Sequence, residues 1–334
     1  MADAFNLSTL DTSYAGESDN GMYVIKHTGQ LDTVKKGCIM VKDDIKKKYT
    51  IPFLDITNII QDRQAAPTSQ GSIAITGKVI EPRDYMIYMT FNPRDLEANW
   101  QAVNLQKDLI DRGLPATTNA YVIMFTLARN IEYNERAIWR SRIEYHPQHG
   151  AVNPTSKGAP ATDAQYNKYN GLIYKILNDS TTVQVAGAQV LTANNIQAQF
   201  DAVYAAIPQP LLYKYGKDGI IFHVSYATQQ LWEAAQQSLT FKSTDTTEKG
   251  INKYKGYDVV PLYGMSDNTI IAAISEPTPQ APFWLGLNSA TDESNVKMGM
   301  VNATDENWFL KILMKADTQC GWGTEIVIST TITA

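Results

Sequence analysis

His146-Pro-Gln-His149 holds the two most closely spaced histidines in the sequence, a possible metal pair. Two imidazoles can share a zinc ion when one element fixes both rings on a common face and further ligands complete the tetrahedron. This pair lies instead in a stretch holding Pro147, Gly150, Pro154, Gly158 and Pro160, which predicts a loop from His146 to Ala164. No cysteine or carboxylate set completes a site there, so no metal is expected. Cys38 and Cys320 are far apart and flank no ligand spacing, so both are expected to be buried free thiols. Asp43-Asp44 and Asp292-Glu293 are paired acids of the kind proton transfer could use, but each sits among turn residues and reads as solvated loop charge. His223 falls inside the apolar run Gly219 to Ser225, where a satisfied core histidine is expected. Gly321-Trp-Gly323 is similar to the start of a dinucleotide loop, yet a β-rich tail follows it and no helix, so a tight turn is expected. G-x-S-x-G, G-x-x-x-x-G-K-[ST] and H-E-x-x-H are all missing from the sequence. The expectation is a protein that is not an enzyme, with no catalytic, cofactor-binding or metal-binding residues.

The composition agrees with a structural role. In 334 residues, 44% are hydrophobic and 19% charged, a globular balance with enough length for one large or two intimate domains. Apolar runs fall well short of the roughly 20 residues that span a bilayer, so no membrane association is expected. Met1-Ala-Asp-Ala-Phe5 has neither a basic nor an apolar leader region, which predicts folding in a cytoplasm. The net charge of -5 argues against a protein that grips nucleic acid, because such affinity comes from neutralising phosphates. It is compatible with a protein that encloses nucleic acid. The 18 tyrosines and 6 tryptophans are spread over the folded regions, which suits cores and broad protein contacts better than one pocket.

The elements that would position any site can be read along the chain. Residues 1–34 are polar, with Asp3, Asp11, Glu17, Asp19 and Asp32 against Lys26, and fit an extended acidic arm. Charge then inverts: Lys35, Lys36, Lys42, Lys46, Lys47 and Lys48 face only Asp43 and Asp44. Interleaved acids and the lack of stacking aromatics make this a protein-facing cluster more than a phosphate site. Cys38 to Val41, Tyr49 to Ile56, Ser72 to Thr76 and Tyr85 to Phe91 are β-branched and aromatic runs that predict strands. Ser72 to Thr76 alternates at period two, which predicts one wet face. Gln61 to Gly71 is polar and turn-forming, so a long hairpin with a mobile tip is expected, and such a ribbon needs another surface to lie on.

Asn92-Pro93 predicts a helix start, continued by Leu96, Trp100, Val103 and Ile110 and stopped at Gly113. A longer helix is expected from Thr117 or Thr118 to Arg142, with Tyr121, Phe125, Ala128, Ile131 and Ile138 as its apolar stripe and Glu132 paired to Arg136. Asn194 to Ile207 reads as an amphipathic helix ended by Pro208; a buried strand to Ser225 and a helix from Tyr226 to Ser238 follow. After a polar loop from Ser243 to Gly250, strands are expected at Tyr257 to Pro261, Thr269 to Ile274, Phe283 to Leu287, Trp308 to Met314 and Thr324 to Thr330.

This order of elements resembles the major capsid protein of tailed bacteriophages, the Hong-Kong-97-like fold. Lys253-Tyr-Lys-Gly-Tyr-Asp-Val-Val-Pro261, the turn Gly264 to Asn268 and Thr269 to Ile274 resemble the late strand pair of such subunits. Tyr169-Asn-Gly-Leu-Ile173 resembles the segment at which they enter their α/β core. The resemblance spans nearly the whole chain by architecture and rests on no short diagnostic motif. It implies an α+β fold with an N-terminal arm (1–34), an extended β-hairpin loop with flanking strands (35–91) and a peripheral domain with a long spine helix (92–165). An axial domain (166–277) would follow, then return strands completing the peripheral domain (278–334), with Trp308 to Thr330 finishing its sheet.

The implied function is a structural subunit of an icosahedral phage head, self-assembling into hexamers and pentamers in the host bacterial cytoplasm. The virion capsid would enclose double-stranded DNA without specific binding. Implied partners are other copies of the chain, a portal, a scaffolding protein and decoration proteins. The scaffold is expected to be separately encoded, because strands begin soon after Met1 where many relatives carry a helical scaffolding segment. An encapsulin-type nanocompartment subunit enclosing a protein cargo shares the fold and is the alternative. A polysaccharide-binding or hydrolytic virion protein fits less well, since no convincing carboxylate pair is present.

Some relatives cross-link their shells through lysine–asparagine isopeptide bonds. Candidates by position are Lys46, Lys47, Lys48 and Lys78 with Asn295, Asn302 and Asn307, near Glu293 and Glu306. A protonated lysine is no nucleophile, and lysines beside Asp43 and Asp44 should stay charged, so a non-covalent shell is expected.

Overall fold

The computed structural model describes residues 31–57, 59–63, 65, 68–69, 71–92, 118–139, 169–238, 252–274, 281–288, 297–301 and 307–331. The expected helix from Pro93 to Gly113, the loop His146 to Ala164 and residues 1–30 of the expected arm lie outside these segments. In chain order the strands are β1 (Met40–Lys42), β2 (Tyr49–Thr57), β3 (Ser72–Ile80), β4 (Arg83–Phe91), β5 (Val183–Gln184), β6 (Ile220–Ser225) and β7 (Lys253–Tyr254). They continue as β8 (Tyr257–Leu262), β9 (Thr269–Ile274), β10 (Phe283–Leu287), β11 (Lys297–Met300), β12 (Trp308–Cys320) and β13 (Val327–Thr330). The helices are Asp32–Lys35, Thr118–Ile138, Leu172–Leu177, Ile196–Ala206, Gln209–Gly219 and Tyr226–Ser238.

Three sheets result. A five-stranded sheet is built around β12, in the order β1-β10-β12-β11 with β4 also pairing β12. A six-stranded sheet runs β5-β13-β9-β6-β8-β7, and β2 with β3 makes a separate two-stranded ribbon. In the six-stranded sheet β6 and β8 are parallel, joined through the helix Tyr226–Ser238, while β9 runs antiparallel to β6.

The period-two pattern of β12 decides how the five-stranded sheet is covered. Ala316 and Cys320 are buried in the core shared with Ile138, Trp139, Leu172, Ile173 and Ile176, and Leu310 and Ile312 are buried earlier along the same strand. One face of the six-stranded sheet contributes Leu262, Ile271, Ala273 and Ile328 to that same core; its other face packs Phe222, Val224 and Ile270 against Ile196, Phe200, Val203 and Trp232. Gly264 shows how closely the parts meet. It has φ +78°, and a Cβ there would overlap the Glu135 carbonyl of the long helix.

Several expectations change in three dimensions. Cys38 to Val41 is no part of the hairpin: β1 pairs in parallel with β10, Met40 opposite Trp284. Trp308 to Thr330 does not finish one sheet, because β12 joins the five-stranded sheet while β13 pairs with β9 in the six-stranded one. The 3-10 turn Gly323–Glu325 separates them, beginning at the last residue of the turn expected at Gly321 to Gly323. The helix Gln209–Gly219 was not expected after Pro208; Pro210 occupies a tolerated first-turn position, and Gly216 kinks it. β11 was also missed. Leu31 and Thr33 of the expected arm are buried, with the Trp139 indole donating to Thr33 Oγ1 at 2.8 Å, so the arm's last residues are core.

In the long helix the expected pair Glu132–Arg136 is present at 3.1 Å. The apolar stripe differs: Ala128 is exposed, while Asn130 and Asn134 are buried. The asparagines point inward because they are satisfied there. Tyr85 and Tyr169 each donate a hydroxyl hydrogen bond to Asn134 Oδ1, at 3.1 and 2.9 Å. The Asn134 amide donates to the Asn130 carbonyl at 2.9 Å.

Candidate functional site: an exposed ribbon face and its root

The ribbon's register places Ile56 opposite Ile73, Leu54 opposite Ile75, Pro52 opposite Gly77 and Thr50 opposite Val79. Residues paired across strands share a face, so these form one side of the ribbon. Their exposure is what matters: Leu54 54%, Ile56 44%, Ile73 66%, Ile75 76% and Val79 42%. Ile59 and Ile60, just beyond β2, are also exposed. Single exposed aliphatics need no explanation, but a contiguous stripe of them marks a contact surface. The expected one wet face of Ser72 to Thr76 is therefore corrected, since both faces of that run are exposed.

The opposite side explains why the ribbon stands where it does. Ile51, Phe53 and Ile80 are buried against Ile45 and Trp284, with Phe53 and Trp322 ring centroids 4.8 Å apart. Gly286 leaves the backbone bare where the Ile80 and Ile45 side chains press in; a Cβ there would overlap both. Past this root the inner side offers Asp55, Ala74 and Thr76, all exposed.

Lys78 also belongs to the root. Its ammonium pairs with Asp179, donates to the Gly321 carbonyl at 2.7 Å and lies 3.3 Å from Cys320 Sγ. Burial pushes the Asp179 carboxyl up, but the bonds from Lys78 and Thr181 outweigh it and hold the group below its usual range.

A second exposed apolar surface lies on the five-stranded sheet. Tyr85 and Met89 face the long helix, and Met86, opposite Leu313, and Tyr88 alternate with them along β4. Met86 is 62% exposed and Tyr88 56%. Between β4 and the long helix a cavity of about 480 Å³ is lined by Tyr85, Ile87, Met89, Thr126, Asn130 and Tyr133 among others. It gathers no acid–base pair among the described residues.

The residues singled out from sequence are scattered. Cys38 and Cys320 are free and buried, and burial pushes the Cys38 thiol up to about 12. His223 is fully buried, but it is not a satisfied histidine: among the described residues neither ring nitrogen has a hydrogen-bond partner. The lysine cluster divides. Lys36 binds Asp32, Tyr226 and the Pro261 carbonyl, while Lys46, Lys47 and Lys48 are exposed near the ribbon root and Lys48 reaches Glu81 at 3.4 Å. Asp44 is exposed as expected; Asp43 is half-buried, and burial raises its carboxyl. His146, His149, Asp292, Glu293, Asn295, Asn302 and Glu306 lie outside the described residues. No group of three metal-ligating side chains occurs among the described residues. No described helix is long and apolar enough to cross a membrane. The ribbon's outer stripe was hidden from sequence reasoning, although the run Ile73, Ile75, Val79 carried the signal.

No protein-family model and no curated protein matches the chain. Solved structures do. A chain from the satellite phage P4 procapsid including its size determination (Sid) protein superposes with a TM-score of 0.58 at 10% identity, covering 94% of this chain and 99% of that one. A chain from the capsid of the native GTA particle gives 0.54 at 12% identity, covering 91% and 90%. The empty GTA particle gives 0.52 at 12% identity over the same shares. The chain has a phage-capsid fold.

Proposed function

We propose that this protein is the structural subunit of an icosahedral phage head, assembling into hexamers and pentamers. The observation that carries the reading is the ribbon, rooted on one side and bearing an unpartnered aliphatic stripe on the other, on a capsid fold. Burying an aliphatic side chain is worth about 1.5–3 kcal/mol when complete. The stripe Leu54, Ile56, Ile73, Ile75 and Val79 thus holds enough free energy to drive association, and within a monomer that energy is unused. Its occupant is a second copy of the chain. In a closed shell one such contact repeats around every symmetry axis, so a modest pairwise energy yields a stable particle. Met86, Tyr88 and Leu313 offer a second apolar surface on the same subunit for such contacts.

In this reading the five-stranded sheet and long helix are the peripheral domain, and the six-stranded sheet with its helices is the axial domain. Residues 1–30 are an arm for neighbouring subunits. The shell is part of the virion and encloses double-stranded DNA without gripping it, consistent with the net charge of -5. A portal, a separate scaffolding protein and decoration proteins complete the assembly. The protein itself performs no catalysis.

Electron microscopy of the protein expressed with and without its neighbouring genes tests the reading. Large heads that package DNA support it. Small closed cages filled with protein would replace it with the nanocompartment alternative, and a protein that stays monomeric at high concentration would refute both.

A further inference from the structure

The ribbon's apolar root is short and non-directional, yet a contact surface is useful only if it points consistently toward its partner. Ile51, Phe53 and Ile80 grip the body through dispersion and burial, which resist detachment more than they resist tilt. Lys78 sits on the same inner side, opposite Ile51, and makes the root's directional bonds. Its partner is immobilised on its own account: Asp179 Oδ1 accepts from the Thr181 amide at 3.0 Å and from Thr181 Oγ1 at 2.7 Å, leaving Oδ2 for Lys78. Both charged side chains are largely shielded, at 24% and 12% exposure. The surroundings cannot slide. Gly323 packs so tightly on Thr181 and Asp179 that a Cβ would overlap both, and Lys78 also holds the Gly321 carbonyl at the end of β12. One ammonium therefore joins three segments distant in sequence: the ribbon, the turn after the helix Leu172–Leu177, and the end of β12.

We infer that the Lys78–Asp179 pair is a latch that sets the direction in which the ribbon leaves the body, and so presents its aliphatic stripe to the next subunit. The inference deepens the shell reading and rests on it for its purpose, but not for its geometry. Lys78 and Asp179 are positioning residues, and they act through the ribbon. A partly shielded ion pair constrains direction because both partners lose their compensation together when the geometry changes. The latch also occupies Lys78 within its own subunit, which removes it from the lysines available to bond a neighbour.

The test reads ribbon direction in the unassembled full chain. Spin labels go on cysteines introduced at Ala74, beyond the root, and Tyr213, on the exposed face of the body; native Cys38 and Cys320 are buried. The parent should give one narrow distance distribution. Lys78→Met, which keeps the apolar stem, should broaden or shift it by about twofold in width, and Lys78→Arg should restore most of the narrowness. Asp179→Asn preserves shape and guards against a folding defect in the lysine variant; it should broaden the distribution equally, and the double variant no further. Distributions unchanged from the parent in Lys78→Met and Asp179→Asn would overturn the latch. Particle formation is scored separately. A parent that never assembles but whose ribbon loosens on mutation would sink the shell reading and leave the latch standing.

Discussion

At the scale of single residues, His223 is the group whose chemistry the fold has changed most. It sits between the rings of Trp139 and Phe283, with centroids 6.4 and 5.6 Å away. Burial lowers its pKa from 6.5 to about 3, and neither ring nitrogen has a hydrogen-bond partner among the described residues. The unfolded chain therefore binds a proton that the folded one refuses. The neutral ring's contribution is complete above pH 6.5 and is lost as pH falls from there toward about 3, by about 1.4 kcal/mol per pH unit. His223→Leu should flatten that part of the curve; urea denaturation of both proteins between pH 6.5 and 4 checks it, and parallel slopes would contradict it. Gly264 is the second sensitive position. Gly264→Ala must force a left-handed backbone and a clash with Glu135 at once, so it should destabilise by about 3 kcal/mol in the same assay.

At the scale of elements, the ribbon separates folding from assembly. Ile73 and Ile75 contribute nothing to the monomer's core, so Ile73→Asp and Ile75→Asp should leave monomer stability within about 0.5 kcal/mol of the parent. Both should abolish particle formation, because a carboxylate would have to be buried unpaired in the contact. Sedimentation of assembled material beside a thermal melt of the monomer gives the two readouts; normal particles from either variant would show that the stripe faces solvent in the shell. Trimming Gln61 to Gly71 should behave the same way, leaving a folded subunit that fails to assemble.

At the scale of the whole molecule, the charge balance and the engagement of Lys78 bear on the finished shell. With a net charge of -5, the assembled protein should bind duplex DNA weakly and with a shallow salt dependence. Tight binding that collapses with salt would trace to the exposed Lys46, Lys47 and Lys48. Denaturing electrophoresis of mature particles should show one monomer band. A ladder resistant to boiling and reductant would mean that an exposed lysine, not Lys78, is bonded to a neighbouring subunit.

Much of the architecture was legible in the sequence because it depends on local periodicity. The strands Thr269–Ile274 and Phe283–Leu287 and the helix Tyr226–Ser238 lie where their patterns put them, and the pair Glu132–Arg136 follows from one helical turn. Partnership between distant segments was not legible. Nothing local tells β13 to leave β12 for β9, or β1 to leave the hairpin for β10, because strand pairing is chosen by the packing of whole faces. Hydrophobicity could not place Asn134 inside, since its burial depends on hydroxyls from Tyr85 and Tyr169, distant in sequence. The alternation of Ile73 and Ile75 announced a strand but not a contact surface. Only the tertiary structure decided that the body covers the root and stops there, leaving those side chains in water.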